Sequence, residues 1–240
     1  MGNARELPEQ RFRYYDLIMV AFVVILLLSN TVAVKVVQLG PWVAGADILI
    51  FPISYIFGDI LTEVYGYGRS RRVIWTGFAA LAFMVVLYTL AGRLPAAGSW
   101  EGQDAFNTIL GQVPRIALAS VCAFWLGEFC NSFVLARMKV LTRGRWLWSR
   151  TIGSTLVGQT VDTTIFGLIA FLGVLSSGDL WGYIAFGIVS KVIYETVATP
   201  ITYAIVNGLK RAEGIDHYDE STDFNPFTLR LDDGAGATTR

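Results

Sequence analysis

Six long apolar stretches, separated by short polar connections, organise this chain. They run from Tyr15 to Leu39, Ala46 to Tyr65, Val73 to Gly92, Pro114 to Arg137, Ile152 to Leu175 and Leu180 to Leu209. Each approaches or exceeds the ~20 residues that a helix rising 1.5 Å per residue needs to cross a hydrocarbon core. The pattern predicts an all-α membrane protein, a six-transmembrane-helix bundle. Residues 1–14 form a polar N-terminal segment, 15–211 the helical membrane domain, and 212–240 a polar tail ending "DDGAGATTR". The connection from Arg93 to Val113 is long and Gly-rich, with Trp100 suited to an interfacial anchor.

Composition agrees with a lipid solvent. Of 240 residues, 54% are hydrophobic and 16% charged, and mean hydropathy is +0.51; soluble domains carry about a quarter charged residues. Net charge is zero, so no global field recruits nucleic acid. Cys122 and Cys130 are eight residues apart in one run, about 12 Å along a helix and too far to pair. The polar start leads into a span too long for a signal peptide, and "MGNARE" lacks the Ser or Thr of a myristoylation motif. The chain has no HExxH, P-loop or GxSxG motif, and its one histidine, His217, lies in the tail. Neither an enzyme nor a metal or other cofactor is expected.

Charge also orients the spans. Arg5, Arg11 and Arg13 precede the first, Arg69, Arg71 and Arg72 follow the second, and Arg137, Lys139, Arg143, Arg145 and Arg150 crowd the fourth connection. Lys210 and Arg211 follow the sixth, while the alternate connections hold only Arg93 and Arg115. Lysine and arginine accumulate on the cytoplasmic side, which predicts both termini in the cytoplasm. An even number of spans requires the same.

Ionisable groups inside spans are costly and commonly face a bundle interior or a watery cavity. Here they are Asp59, Glu63, Glu128, Asp162, Lys191 and Glu195, with Lys35 near the outer end of the first span. Helical rise places Glu128, Asp162 and Glu195 within roughly 5 Å of the midplane, and Asp59 slightly below. Asp59 with Glu63 and Lys191 with Glu195 are i,i+4 pairs; Glu128 with Asn131 and Gln159 with Asp162 are i,i+3 pairs. Each pair shares a helix face, so four polar stripes are expected to line one midplane cavity. Substrate contacts are therefore expected from Glu128, Asn131, Gln159, Asp162, Glu195 and Asp59, with Tyr55 and Asn30. Lys191, Lys35 and Glu63 are coupling or structural charges.

Each residue also has a plainer reading. Polar side chains join membrane helices by hydrogen bonds, Lys191 and Glu195 can form a static pair along one helix, Glu63 can lock onto a loop arginine, and Lys35 can snorkel outward. Pro52 and Pro200 are expected to kink their helices beside the polar residues. Phe51, Tyr55, Trp125, Phe166 and Tyr194 lie within a turn of the stripes, as either packing or stacking surfaces for a flat heterocycle. Asn30 and Asn131 are 101 residues apart, and Asp59 and Asp162 are 103 apart, a spacing that raises a 3+3 inverted repeat as an alternative to six unrelated spans.

Seven segments in order carry a resemblance: "SNTVAVK", "FPISYIFGDILTEVYGYGRSRR", "RIALAS", "GEFCNSFVLARMK", "RTIGSTLVGQTVDTTIFGLIAFLG", "KVIYETVATPITYAIVNGLKRAEGIDHYD" and "FNPF". Over nearly its whole length the chain resembles the queuosine precursor transporter family, also described as vitamin-uptake-transporter-like. The resemblance implies an inner-membrane importer of 7-deazaguanines, such as the 7-cyano or 7-aminomethyl base, with a purine-like base and the lipid bilayer as partners. It leaves open the preferred base, the energy source and the oligomeric state, a homodimer included. Two alternatives stand beside it: the substrate-binding subunit of an energy-coupling-factor-type vitamin importer, and a non-transporting scaffold. The segment "ARMKV" shows no small-residue coupling motif of the Ala-x-x-x-Ala kind.

Overall fold

The computed structural model describes residues 12–141 and 147–214, except for some side chains within the helices. Among the described residues it contains α1 (Tyr15–Val32), β1 (Val36–Leu39), β2 (Trp42–Gly45), a 3₁₀ turn (Ala46–Leu49), α2 (Phe51–Tyr65), α3 (Tyr67–Arg93), α4 (Gln103–Leu110), α5 (Val113–Leu141), α6 (Leu147–Phe171) and α7 (Ser177–Glu213). Among the described residues, four helical segments are long and apolar enough to cross a membrane: Tyr15–Val32, Gly68–Arg93, Gln103–Gly127 and Ser177–Glu213. Thr155–Phe171 is a shorter apolar helix.

Lipid solvent is visible in what faces outward. On α1, Leu17, Val20, Val24 and Leu28 are exposed, while Leu26, Ser29 and Asn30 are buried. Exposed apolar residues at steps of three and four form one face of a helix. In water that face would seek a core; in a bilayer it is the solvated side. Val189, Ile193, Val197 and Ile201 do the same on α7.

The first two expected spans are corrected. Instead of running to Leu39, α1 stops at Val32 and the chain turns into an antiparallel hairpin, with Val36 opposite Gly45 and Leu39 opposite Trp42. The β-branched "VVQL" suits a strand, and the two-residue Gly40–Pro41 loop reverses it, Gly40 taking φ +60°. The fold is thus helical with one small hairpin, not purely α. Lys35 leaves the helix for the link into β1, where its carbonyl accepts from Ala46 N at 2.8 Å. Nor is Pro52 a mid-helix kink. It lies at the first turn of α2, where its missing N–H has no helical partner to lose.

Further along, Gly66 adopts φ +83° between α2 and α3, a conformation that a side chain would strain. The expected arginine loop after it is helical: Arg69, Arg71 and Arg72 lie in the first turns of α3, and Arg71 is buried. Arginine is a good helix former, so charge marks the membrane end without ending the helix. The expected outer loop contains α4, whose Gln103 Nε2 donates to Gly92 O at 3.1 Å. Pro200 lies inside α7 as expected, and Lys210 and Arg211 form that helix's last turn rather than following it. Cys122 and Cys130 are free.

Of three buried apolar clusters among the described residues, one gathers Leu81, Met84, Val113 and Ala117 and the other two form cores that cap the bundle. Of these two, one gathers Ile116, Ala119, Phe171, Leu180 and Tyr183 where α5 and α7 begin and α6 ends. The other gathers Leu61, Val64, Tyr65, Val73 and Val206 with Tyr15 and Phe22. At the first end, Arg115 donates to Ile169 O and Leu172 O, both at 2.5 Å. Arg115 thus satisfies carbonyls at the C-terminal end of α6. At the second end, Glu213 accepts from Arg13 N at 2.9 Å, Tyr14 N at 2.8 Å and Tyr65 Oη at 3.0 Å. The start of α1 and the end of α7 therefore meet at one face of the bundle.

Candidate functional site

Between the two cores, α5 and α6 cross at van der Waals contact. A methyl on Gly127 would stand 2.8 Å from Asp162 Cβ and 3.1 Å from Gly158 O. One on Gly158 would stand 2.8 Å from Asn131 Cβ and 3.1 Å from Gly127 O. Glycine is needed at both positions because only its absent side chain lets the backbones come this close. Gly127 with Asn131 and Gly158 with Asp162 are both i,i+4, so the crossing is locally two-fold. It sets an amide on α5 and a carboxylate on α6 to either side of one contact. Asn131 Oδ1 is buried and lacks a hydrogen-bond partner among the described residues.

Asp162 is bound to α7. Lys191 Nζ donates to its Oδ2 at 2.5 Å, with the two side chains 15% and 18% exposed. The pair lies about 13 Å along α6 from Phe171 and about 22 Å along α7 from Val206, away from both cores. Lys191 therefore does not serve its own helix alone, as the i,i+4 spacing with Glu195 suggested. Its ammonium also lies 5.1 Å from the centroid of the Phe51 ring, a cation–π contact with the first residue of α2.

The turn before α2 adds Asp47, which the sequence pattern did not single out. Lys191 acts electrostatically on its carboxylate, and its Oδ1 is buried without a hydrogen-bond partner among the described residues. A methyl on Gly45 would collide with that oxygen and stand 3.5 Å from Tyr183 Oη, so the last residue of β2 makes the space into which Asp47 folds. The hairpin thus brings irregular backbone to the level of the ion pair. Within a membrane such backbone is tolerated where it is buried in protein or lines a cavity.

The other expected residues divide. Gln159 and Glu195 are half-buried, and each has an interaction partner. Asn30 lies elsewhere: its Nδ2 donates to Leu26 O at 2.8 Å and its Oδ1 accepts from Ser120 Oγ at 2.7 Å. It is buried glue between α1 and α5. Glu63 pairs with Lys210 at 2.6 Å rather than with a loop arginine, and its side chain is 62% exposed. The side chains of Tyr55, Asp59 and Glu128 lie outside the described residues, and so does His217. Trp125 packs edge-on against Trp75 and Phe166 edge-on against Phe171, while Phe166 stacks on Tyr183; Tyr194 is half-buried. Among the described side chains, Phe51 lies beside the Lys191 ammonium.

Comparison with known proteins assigns this architecture. The model of the family described as "Putative vitamin uptake transporter" matches residues 45–205. The chain belongs to this family. The match begins at Gly45 and takes in the Asp47 turn, the glycine crossing and the Lys191–Asp162 pair. A "Probable queuosine precursor transporter" of Bacillus subtilis (strain 168) is 32% identical over 180 residues, spanning 73% of this chain and 77% of that one. A "Queuosine precursor transporter" of Escherichia coli (strain K12) is 32% identical over 121 residues, spanning 50% of this chain and 52% of its own length. No solved structure matches. As a member of a transporter family the chain is a membrane transporter rather than an enzyme.

Proposed function

We propose that the chain imports a queuosine precursor, a 7-deazaguanine such as the 7-cyano or 7-aminomethyl base, across the cytoplasmic membrane. The observation that carries this is the Lys191–Asp162 pair, held away from both cores beside the α5–α6 crossing, in a chain similar to proteins named for that transport. Six crossings, by α1, α2 with its preceding hairpin, α3, α5, α6 and α7, return the chain to its starting side. The contact of Glu213 with Arg13 and Tyr14 supports this topology, and the arginine asymmetry makes that side cytoplasmic. A 3+3 inverted repeat and a homodimer belong to the same proposal but carry none of its argument.

Substrate binding falls to Glu128, Asn131, Gln159, Asp162 and Glu195, with Asp59 and Tyr55 on α2. A flat base bearing several N–H donors suits carboxylates and the buried Asn131 oxygen, because a charge-assisted hydrogen bond satisfies both sides. Uptake of labelled 7-aminomethyl-7-deazaguanine by proteoliposomes holding only this protein tests the proposal. Uptake without partner or ATP supports a carrier. Uptake that appears only with an added ATPase module supports a substrate-binding subunit, and no binding at all leaves the scaffold. The isosteric variants Glu128→Gln, Asp162→Asn and Glu195→Gln are each expected to weaken binding by about tenfold to a hundredfold. Three variants that bind as tightly as the parent would refute the pocket.

A further inference from the structure

We infer that the last part of α7, from Pro200 to Glu213, is the gate on the face where the start of α1 and the end of α7 meet. Pro200 is its hinge and Glu213 its latch. The inference rests on the import proposal, which requires that face to open, and adds to it the segment that moves.

The need for motion lies in the packing. Leu61, Val64, Tyr65, Val73 and Val206 form a core between the level of the Lys191–Asp162 pair and this face. A solute leaving that way must part them, and a close-packed core parts when a whole element shifts rather than by yielding atom by atom.

The sequence of α7 supplies the pivot. Pro200 lies inside the helix, about 14 Å beyond Lys191. It has no N–H, so Thr196 O loses its helical donor, and the ring presses on the preceding turn. Around it, three threonine hydroxyls turn back onto the backbone. Thr196 Oγ1 donates to Val192 O and Thr199 Oγ1 to Glu195 O, both at 2.7 Å, and Thr202 Oγ1 to Ala198 O at 3.1 Å. Such bonds weaken and bend a helix. Beyond the pivot the arm is thinly attached: Thr202 and Val206 are buried, while Ile201, Tyr203 and Ile205 are exposed. Elements with few buried contacts are the ones that open.

What fastens the arm is polar. Glu213 accepts from Arg13 N and Tyr14 N before α1 and from Tyr65 Oη on α2, and Lys210 Nζ pairs with Glu63 on α2 at 2.6 Å. The receiving side is itself braced, because Tyr15 Oη donates to Arg69 O at 3.2 Å and the Arg69 guanidinium stands 4.4 Å over the Phe12 ring. Water can replace bonds of this kind when they break, so their release costs little net free energy. A swing of about 10° at Pro200 moves Glu213, about 20 Å further along, by roughly 3.5 Å, which breaks all three of its hydrogen bonds.

Cysteine accessibility tests the gate. In a chain carrying Cys122→Ser and Cys130→Ser, Val206→Cys places a thiol in the core that must part, and Ile116→Cys places one in the opposite core. Alkylation of each by a water-soluble maleimide is followed in detergent without substrate. Adding Glu213→Ala is expected to speed alkylation at position 206 by about tenfold or more and to leave position 116 within about twofold. Glu213→Gln should give a smaller rise at 206, and it decides by the same comparison should Glu213→Ala fail to fold. Combining Pro200→Ala with Glu213→Ala should bring the rate at 206 back toward that of the parent. In proteoliposomes, Pro200→Ala should bind 7-aminomethyl-7-deazaguanine with parental affinity and take it up about tenfold more slowly. Equal acceleration at both cysteines, which is general loosening, overturns the inference. So does an unchanged rate at 206, or parental uptake by Pro200→Ala. Because labelling uses no substrate, it decides which segment opens; a wild type that takes up no 7-aminomethyl-7-deazaguanine refutes the import proposal instead.

Discussion

Replacing Lys191 by Met removes the ammonium 2.5 Å from Asp162 Oδ2 and leaves a carboxylate only 18% exposed without its cation. Removing one member of a buried ion pair costs about 3–5 kcal/mol. Because both side chains keep some access to solvent, about 2–3 kcal/mol is the appropriate scale here. Asp162→Asn removes the ammonium's partner in this pair, at a cost of the same order. Replacing both, as Lys191→Met with Asp162→Asn, leaves neither member of the pair charged without the other, and neutral substitutes for buried pairs are often as stable as the pair. The double variant should therefore recover at least about 2 kcal/mol relative to the sum of the singles. Unfolding midpoints of the four proteins in one detergent, without ligand, measure the cycle. Uptake in proteoliposomes separates structure from transport, because the double variant is expected to regain stability and remain inactive. Additive single costs, or singles as stable as the parent, would refute an ionised pair. Recovery of uptake in the double variant would instead make the pair purely structural.

Other expectations follow from individual contacts. Gly127→Ala sets a methyl 2.8 Å from Asp162 Cβ and should cost about 1–3 kcal/mol by overpacking, read as a lower unfolding midpoint; an unchanged midpoint would show that the crossing can open freely. Glu213→Ala removes the acceptor for Arg13 N, Tyr14 N and Tyr65 Oη and should destabilise by about 1–3 kcal/mol, with Glu213→Gln costing less. Equal losses in the two variants would mean that the carboxamide oxygen cannot replace the acceptor. Cysteine placed at Ser99 should react with an impermeant reagent on intact cells, and labelling only after permeabilisation would invert the topology.

Candidate residues were conspicuous in the sequence where chemistry is local. Polar groups in an apolar run are conspicuous because lipid offers them nothing, so Asp162, Lys191, Glu195 and Asn131 could be picked out from position alone. What each one touches was not. Asn30 looked like a pocket residue until Ser120, 90 residues away, took its oxygen. Glu63 found Lys210 across 147 residues instead of a nearby arginine. Asp47 went unnoticed because its value depends on Gly45 beside it and Lys191 far along the chain. The signs were present as a Gly-Pro turn signal in "VVQLGPW" and a Gly four residues before each of Asn131 and Asp162.

Membrane residence and the approximate extent of the helices followed from sequence alone, and arginine asymmetry set the expectation for the side on which the ends lie. These depend on sums over many residues, namely apolar length against bilayer thickness and arginine counts on alternate connections. Element boundaries within the apolar runs were another matter. Lipid rewards apolar side chains in helix and hairpin alike, so hydropathy could not show where α1 gives way to β1. Tertiary structure decided that, and it decided which polar groups meet. The α5–α6 contact fixes Asn131 against Gly158 and Asp162 against Gly127, α7 then supplies Lys191, and the hairpin delivers Asp47. Pairings of this kind depend on how helices cross, a property of two surfaces together that no single segment encodes.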